Sequence, residues 1–520
     1  MKNLQARPMT RLGIIASLVA VLGATAWGQT NHLTERAISL DECLEMALEN
    51  NFTLRIERHN IEQARFDLRR SQTAYDPQLF FGLTRARNTG LNQNFDLLGN
   101  RSENSSQNTV DTLEYGVSGL GPMGFEYSVP VRFTRSFGDG YTYNTLDLNT
   151  FTFVPVGYDE YAARFNIEMR QPLLRNFAVD NVRRTIQVNR KLLKMSEHQY
   201  EARLMEIITL VELAYYELIF ARENVKVQEK ALELAEKLLD NNRKSFNVGS
   251  MAILEVHRAE SLVASTRADL LAAQQLVKVQ ENVLKNLITK DLAEWKQVSL
   301  RPTESLMAIP QALDVRESWR TGLTKRPDLA QLRVDLERQD IDIRYFKNQT
   351  LPNLNLVGSY GRDALGTGFE NTWSDLHFRD KAVDYYYGVE LSFPWGRREA
   401  KYRLAQEKDQ RLQKELVLQK LQQDILVQID DAIEAVKTSY DRIAATRQAA
   451  DFAQKVLQSE ESLMRVGMST SFQILQYQRD LTAARTQEAR AIADYNKALA
   501  RLAQAEGSTL ERRKIKLQFK

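Results

Sequence analysis

Residues 246–260 read Phe-Asn-Val-Gly-Ser-Met-Ala-Ile-Leu-Glu-Val-His-Arg-Ala-Glu, and the break at Phe246-Asn247-Val248-Gly249-Ser250 turns one very long helical pattern back into another. Before the turn, Ile207, Val211, Ala214, Leu218, Ala221, Val225, Gln228, Leu232, Ala235 and Leu239 are spaced alternately by four and three. After it, Val256, Val263, Leu270, Val277 and Leu284 recur every seven residues, with Ala259, Thr266, Ala273, Gln280 and Leu287 between them. Such a seam predicts left-handed supercoiling against partner helices. A helical hairpin is therefore expected over about 178–290, its first arm free of internal Pro and Gly. At about 1.5 Å per residue that arm is a rod roughly 100 Å long, more than a globular core needs.

The pattern occurs twice. Leu54 corresponds to Leu329 and Pro77 to Pro352, both 275 positions apart. Phe165-Asn166-Ile167-Glu168 through Pro172 matches Tyr387-Gly388-Val389-Glu390 through Pro394, and Val248-Gly249-Ser250 matches Val466-Gly467-Met468. A recurring order of helix, strand, loop, strand, long helix, turn and helix predicts a duplicated structural unit. The expected organisation is a first repeat over 29–290, a linker over 291–325, a second repeat over 326–506 with its hairpin at about 398–506, and a C-terminal segment over 507–520.

Four segments carry a different period: strands are expected at about 78–88, 160–171, 353–361 and 383–394. Tyr385, Tyr387, Val389, Leu391 and Phe393 alternate with Tyr386, Gly388, Glu390 and Ser392, as Phe165, Ile167 and Met169 do with Asn166, Glu168 and Arg170. Apolar-out, polar-in alternation over about ten residues marks an outer-membrane barrel strand. Alternation alone equally suits a soluble sheet with one wet face. The chain start decides between them. Lys2, Arg7 and Arg11 precede an apolar run from Leu12 to Ala26 that ends in small residues, the pattern of a secretory signal over 1–28 cleaved after Ala26 or Gly28. Four strands cannot close around a pore, and open edges cannot face lipid, so several chains must pool their strands.

Loss of the signal takes the formal charge of +3 to zero, which argues against a nucleic-acid partner. The single cysteine, Cys43, has no partner in the chain and no small residue before it, so neither a disulfide nor a lipid attachment is expected.

The runs FNVGSMAILEVHRAE (246–260), RVGMSTSFQILQYQ (465–478), RPDL (326–329) and RQPLLRN (170–176) resemble the TolC-like outer membrane efflux proteins, and the resemblance extends over nearly the whole mature chain. It implies a mainly α protein with a β-barrel part. Three chains would form a twelve-stranded barrel in the outer membrane above a coiled-coil α-barrel in the periplasm. A belt at mid-tunnel would come from about 38–50, 291–325 and 507–520. The implied partners are two further copies, outer membrane lipid, a periplasmic adaptor, and an inner-membrane pump or ABC transporter; no cofactor or metal is implied. The tips Val248, Gly249, Ser250 and Val466, Gly467, Met468 correspond to the adaptor-docking turns. The family's entrance aspartates are replaced here by Gln473 and Gln476, while the matching position of the first repeat is Glu255. A trimer would then keep one acidic ring of three Glu255 carboxylates, bordered by glutamines; the alternative is that Glu255 faces solvent or a neighbouring arginine such as Arg258.

The first repeat also carries 53 extra residues between Pro77 and Pro172. They hold a polar stretch (about 89–111), expected to be a loop, and an alternating hairpin over about 113–134. Pro130 and the family pattern favour a hairpin lying outside the barrel over one that extends it to six strands per chain. Gly119, Gly121 and Gly124 spell GxGxxG, but no helix is expected after them to receive a pyrophosphate. The five histidines stand apart with no metal-ligand spacing, so no enzyme is expected. The readings carried forward are a passive exit duct fed by a pump through an adaptor, and a periplasmic coiled-coil adaptor or scaffold without a channel.

Overall fold

The computed structural model describes residues 34–95, 101–143, 153–378, 382–466 and 468–515. The expected signal at 1–28, Gly467 and residues 516–520 lie outside them. In chain order the elements are β1 (Thr34–Ile38), α1 (Leu40–Asn50), α2 (Phe52–Gln72), β2 (Gln78–Phe95), β3 (Arg101–Leu120), β4 (Glu126–Tyr143) and β5 (Phe153–Pro172). There follow α3 (Asn181–Asn247), α4 (Ile253–Ile288), β6 (Val298–Pro302), α5 (Val315–Lys325), α6 (Pro327–Gln349), β7 (Asn353–Gly366), α7 (Phe369–Phe378) and β8 (Val383–Ser392). The chain closes with α8 (Arg398–Arg465), α9 (Ser471–Ala505) and α10 (Thr509–Arg512).

Helices α3 and α8 run unbroken for 67 and 68 residues. The α3 start is fixed by Asp180, whose carboxylate accepts from the Arg183 N–H at 2.8 Å. Its seam residues Ile207, Val211, Ala214, Leu218 and Ala221 are buried. The shorter helices meet end to end. Asn51 caps α2 and also donates from Nδ2 to the Leu287 carbonyl of α4 at 3.1 Å. Arg326, beside the α6 start, donates to the Ala505 carbonyl at the end of α9 at 3.3 Å. With α3 packed against α2, α4, α6 and α9, and α8 against α6 and α9, each chain presents four columns side by side: α2/α4, α3, α6/α9 and α8.

At mid-height β1 pairs in parallel with β6, drawing 34–38 and 298–302 together around a core of Ile38, Cys43, Tyr215, Leu284 and Leu300. Tyr215 donates to the Ile38 carbonyl at 3.1 Å. Cys43 is fully buried, and burial pushes its thiol up to about 12, so it stays protonated and inert.

The sheet corrects the expectation. It holds six strands in the order β2-β3-β4-β5-β7-β8, with the extra hairpin inserted between β2 and β5 instead of lying outside. The expected four strands per chain are therefore six among the described residues. The stretch expected to be a polar loop is ladder at 89–95 and 101–111: Thr89 pairs with Gln107, and Phe95 with Arg101. These residues are polar on both faces of the ladder, so no alternation marks them as strand. Pro130 does not exclude β4 from the sheet. The β4–β5 ladder is interrupted at 129–130 and resumes in register, Ser128 with Glu168 and Val131 with Phe165. Across from it stands Gly116, where a Cβ would meet the Val129 carbonyl oxygen at 2.4 Å. Gly119–Gly124 ends β3 and turns tightly into β4 through Met123 and Gly124, both with positive φ, and no phosphate-receiving helix follows.

One further element had no signal in the pattern. Helix α7 folds back over the sheet, burying Thr372 and Leu376 against Phe133, Ala163 and Ala364. Phe369 and Trp373 lie at ring distances of 5.1 and 5.2 Å from Phe133.

Candidate functional site

At one end of the helical body both long hairpins turn. Helix α3 ends as Val248 N–H reaches the Lys244 carbonyl at 3.2 Å, Gly249 N–H that of Phe246 at 2.9 Å, and Ser250 N–H that of Ser245 at 3.0 Å. These bonds require Gly249 to adopt φ +79°, the left-handed region where a Cβ is costly. In the second turn the N–H groups of Val466 and Met468 both reach the Leu463 carbonyl, at 3.2 and 2.9 Å. The two turns are brought together by a small core of Ala235, Leu238, Leu262, Leu457, Ile474 and Leu475. Asn242, fully buried, donates to the Glu255 carbonyl at 3.2 Å and accepts from the Ser471 hydroxyl at 3.4 Å, tying one hairpin to the other. The sequence reading missed Asn242, whose only signal is a polar side chain on the apolar face. What the tips offer to solvent is apolar: Val248 is 79% exposed, Met468 78% and Val466 68%.

The expected entrance residues are placed as follows. The Glu255 carboxylate accepts from Arg258 at 2.7 Å, one turn along α4, and the Arg258 guanidinium lies 5.8 Å above the Phe472 ring. The acid is therefore neutralised within its own chain. Gln473 closes a capping box with Thr470, its side chain accepting from the Thr470 N–H at 3.2 Å, and so secures the start of α9. Gln476 donates to Asp480 at 3.1 Å. No group of metal-ligating side chains occurs among the described residues.

At the opposite end the half of the sheet nearer the helices separates polar from apolar, and further along the apolar face carries the ion pairs Arg85–Asp111 and Arg135–Asp159. Leu79, Phe81 and Leu83 of β2 stand across from Val117, Tyr115 and Leu113 of β3, and this face continues through Val131, Phe165 and Ile167 to Tyr385, Tyr387 and Val389 of β8. The other face carries paired charges: Arg132 with Glu114 at 2.9 Å, Arg164 with Asp363 at 3.2 Å, and Arg170 with Glu390 at 2.6 Å. No described helix is long and apolar enough to cross a membrane. The outer strands of the sheet, β2 and β8, have no neighbour on their free sides. The outer helical columns, α2/α4 and α8, expose Phe52, Ile56, Phe66 and Leu271 on one flank and Leu412, Leu416, Val427 and Phe452 on the other. Sheet and helices are thus unfinished along the same two flanks.

Residues 139–289 and 321–508 match the family described as outer membrane efflux protein. The chain is 25% identical over 304 residues to the pyoverdine export outer membrane protein OpmQ of Pseudomonas aeruginosa, covering 56% of this chain and 59% of that one. It is 23% identical over 352 residues to the alkaline protease secretion protein AprF of the same organism, covering 66% and 69%. Among solved structures it superposes on the outer-membrane channel OprN with a TM-score of 0.64 at 16% identity, covering 90% of both chains. For the Campylobacter jejuni CmeC outer membrane channel the TM-score is 0.61 at 16% identity, covering 96% and 94%.

Proposed function

This chain belongs to the outer membrane efflux protein family, and from that premise we propose that it is the outer-membrane exit duct of a tripartite efflux or type I secretion system. Three copies join flank to flank, β8 and α8 of one against β2, α2 and α4 of the next. A head-to-tail interface that closes gives a ring, and closure satisfies both the strand edges and the exposed apolar columns. The part of the apolar sheet face that α7 leaves uncovered lies against outer membrane lipid, the opposite face lines water, and the helices enclose a tunnel in the periplasm. The duct is passive: an inner-membrane pump or ABC transporter delivers cargo through a periplasmic adaptor that docks on Val248, Gly249, Ser250, Val466, Gly467 and Met468.

The observation that carries this reading is the coincidence of open sheet edges and exposed apolar helix flanks on the same two sides of one chain. Cell fractionation followed by planar-bilayer recording tests it. Detergent-requiring protein in the outer membrane fraction, forming stable conducting channels, is the expected result. Release by osmotic shock without channel activity would make the protein a periplasmic scaffold.

A further inference from the structure

The sheet of one chain contributes six strands instead of four. We propose that the assembled barrel contains eighteen strands, six from each copy, and is as wide as the helical tunnel on which it stands. The proposal rests on the three-copy reading above; the number of strands per chain is argued separately.

The inserted hairpin is an integral wall segment by three observations. β3 pairs with β2 from Gln78↔Ser118 to Phe95↔Arg101, and β4 pairs with β5 from Glu126↔Arg170 to Tyr143↔Phe153. Its faces continue those of its neighbours: Val117, Tyr115 and Leu113 extend the apolar face, while Glu114 and Arg132 form one of the ion pairs of the wet face. Its turn is anchored where sheet meets helices. Gln171 donates to the Met123 carbonyl at 3.0 Å, and a Cβ on Gly124 would meet the Asn176 carbonyl oxygen at 2.7 Å, so hairpin and β5–α3 junction are fitted to each other. Removing the hairpin from the wall would break two ladders and strand both faces.

Direction and circumference agree. Neighbours in the sheet are antiparallel throughout, so β8 runs opposite to β2 and can pair antiparallel with β2 of the next copy. Four helical columns at about 9.5 Å between axes take roughly 38 Å of circumference per chain. Six strands spaced about 4.8 Å and tilted about 40° each take about 6.3 Å of circumference, again roughly 38 Å; four strands would take only about 25 Å. With six strands the strand wall meets the helix wall without taper. Three copies then enclose a backbone radius of about 18 Å instead of about 12 Å, a cross-section about 2.3-fold larger.

Image reconstruction of the full-length protein in lipid nanodiscs counts copies and strands in the same particle. Eighteen strands in a three-copy particle is the expected result. Twelve strands in a three-copy particle would overturn the inference and leave the trimer standing. A copy number other than three would overturn the trimer, and six strands per copy in that particle would still uphold the wall assignment, whereas four would not. Spin labels provide a second measurement, in a Cys43→Ala background. At Val117→Cys the label should be accessible to oxygen dissolved in lipid, and at the adjacent Ser118→Cys to a water-soluble nickel chelate. The same accessibility at both positions would place the hairpin outside the barrel wall.

Discussion

At the residue scale the tips are governed by one backbone angle and one ion pair. Gly249 has φ +79°, and no atom lies within 4 Å of where its Cβ would be, so a side chain there is opposed by conformation and not by crowding. Gly249→Val should cost on the order of 1–3 kcal/mol locally. Export should fall severalfold in cells while the protein still reaches the outer membrane as an oligomer; undiminished export would remove this turn from the docking surface. Glu255 was expected to form an acidic ring, yet Arg258 holds it at 2.7 Å. Glu255→Gln would leave three arginines near the mouth without their counterion, and like charges confined together repel cations and attract anions. The reversal potential of the variant in a salt gradient should shift toward anion selectivity. An unchanged potential with intact conductance would mean that this pair lies away from the permeation path.

At the scale of elements, the joint between α6 and α8 is held by charge. The Asp335 carboxylate forms an ion pair with Lys414 on α8 at 2.8 Å and accepts from Arg338 at 2.8 Å. Burial raises the pKa of this carboxyl, but the neighbouring Lys414 and Arg338 cations together outweigh burial and hold it below the ordinary value of 3.8. A depressed folded-state pKa stabilises fully above the unfolded value and loses that contribution as pH falls through the folded one. Asp335→Asn should therefore lower thermal stability near neutral pH by up to about 1 kcal/mol, the scale of a partly exposed pair. Its midpoint and that of the parent should converge as pH drops below about 3.8, which circular dichroism at a series of pH values would reveal. Equal destabilisation at all pH values would assign the effect to packing.

The elements differed in how much the sequence disclosed. The long helices were legible because a seam of four and three persists over many turns without Pro or Gly, and β7 and β8 because one face is consistently apolar. The outer halves of β2 and β3 were not: Arg87, Asn88, Thr89 and Gln93 pair with Thr109, Asn108, Gln107 and Glu103, with no apolar face to mark the period. Their order comes from pairing with each other, a non-local property. Pro130 misled for a related reason, since Gly116 opposite it could be recognised as its complement only once the register was known. The tip residues were found through the Val-Gly turns. The roles of Gln473 as a cap and Arg258 as a counterion depend on side-chain geometry that spacing does not fix.

At the scale of the whole molecule, one chain leaves its sheet and helical layer open at both sides. Among the described residues, sheet and helical columns end on the same flanks, and α2, α4 and α8 leave large apolar side chains exposed there. An isolated copy would leave strand edges in lipid unpaired, at a cost of several kcal/mol for each unsatisfied group. Closure between copies is therefore the central claim, and chemical cross-linking of the protein extracted from outer membranes in mild detergent tests it most directly. The account predicts a ladder that rises to three chains and stops there at saturating cross-linker. A monomer that remains inserted in lipid and never yields products beyond one chain would contradict it.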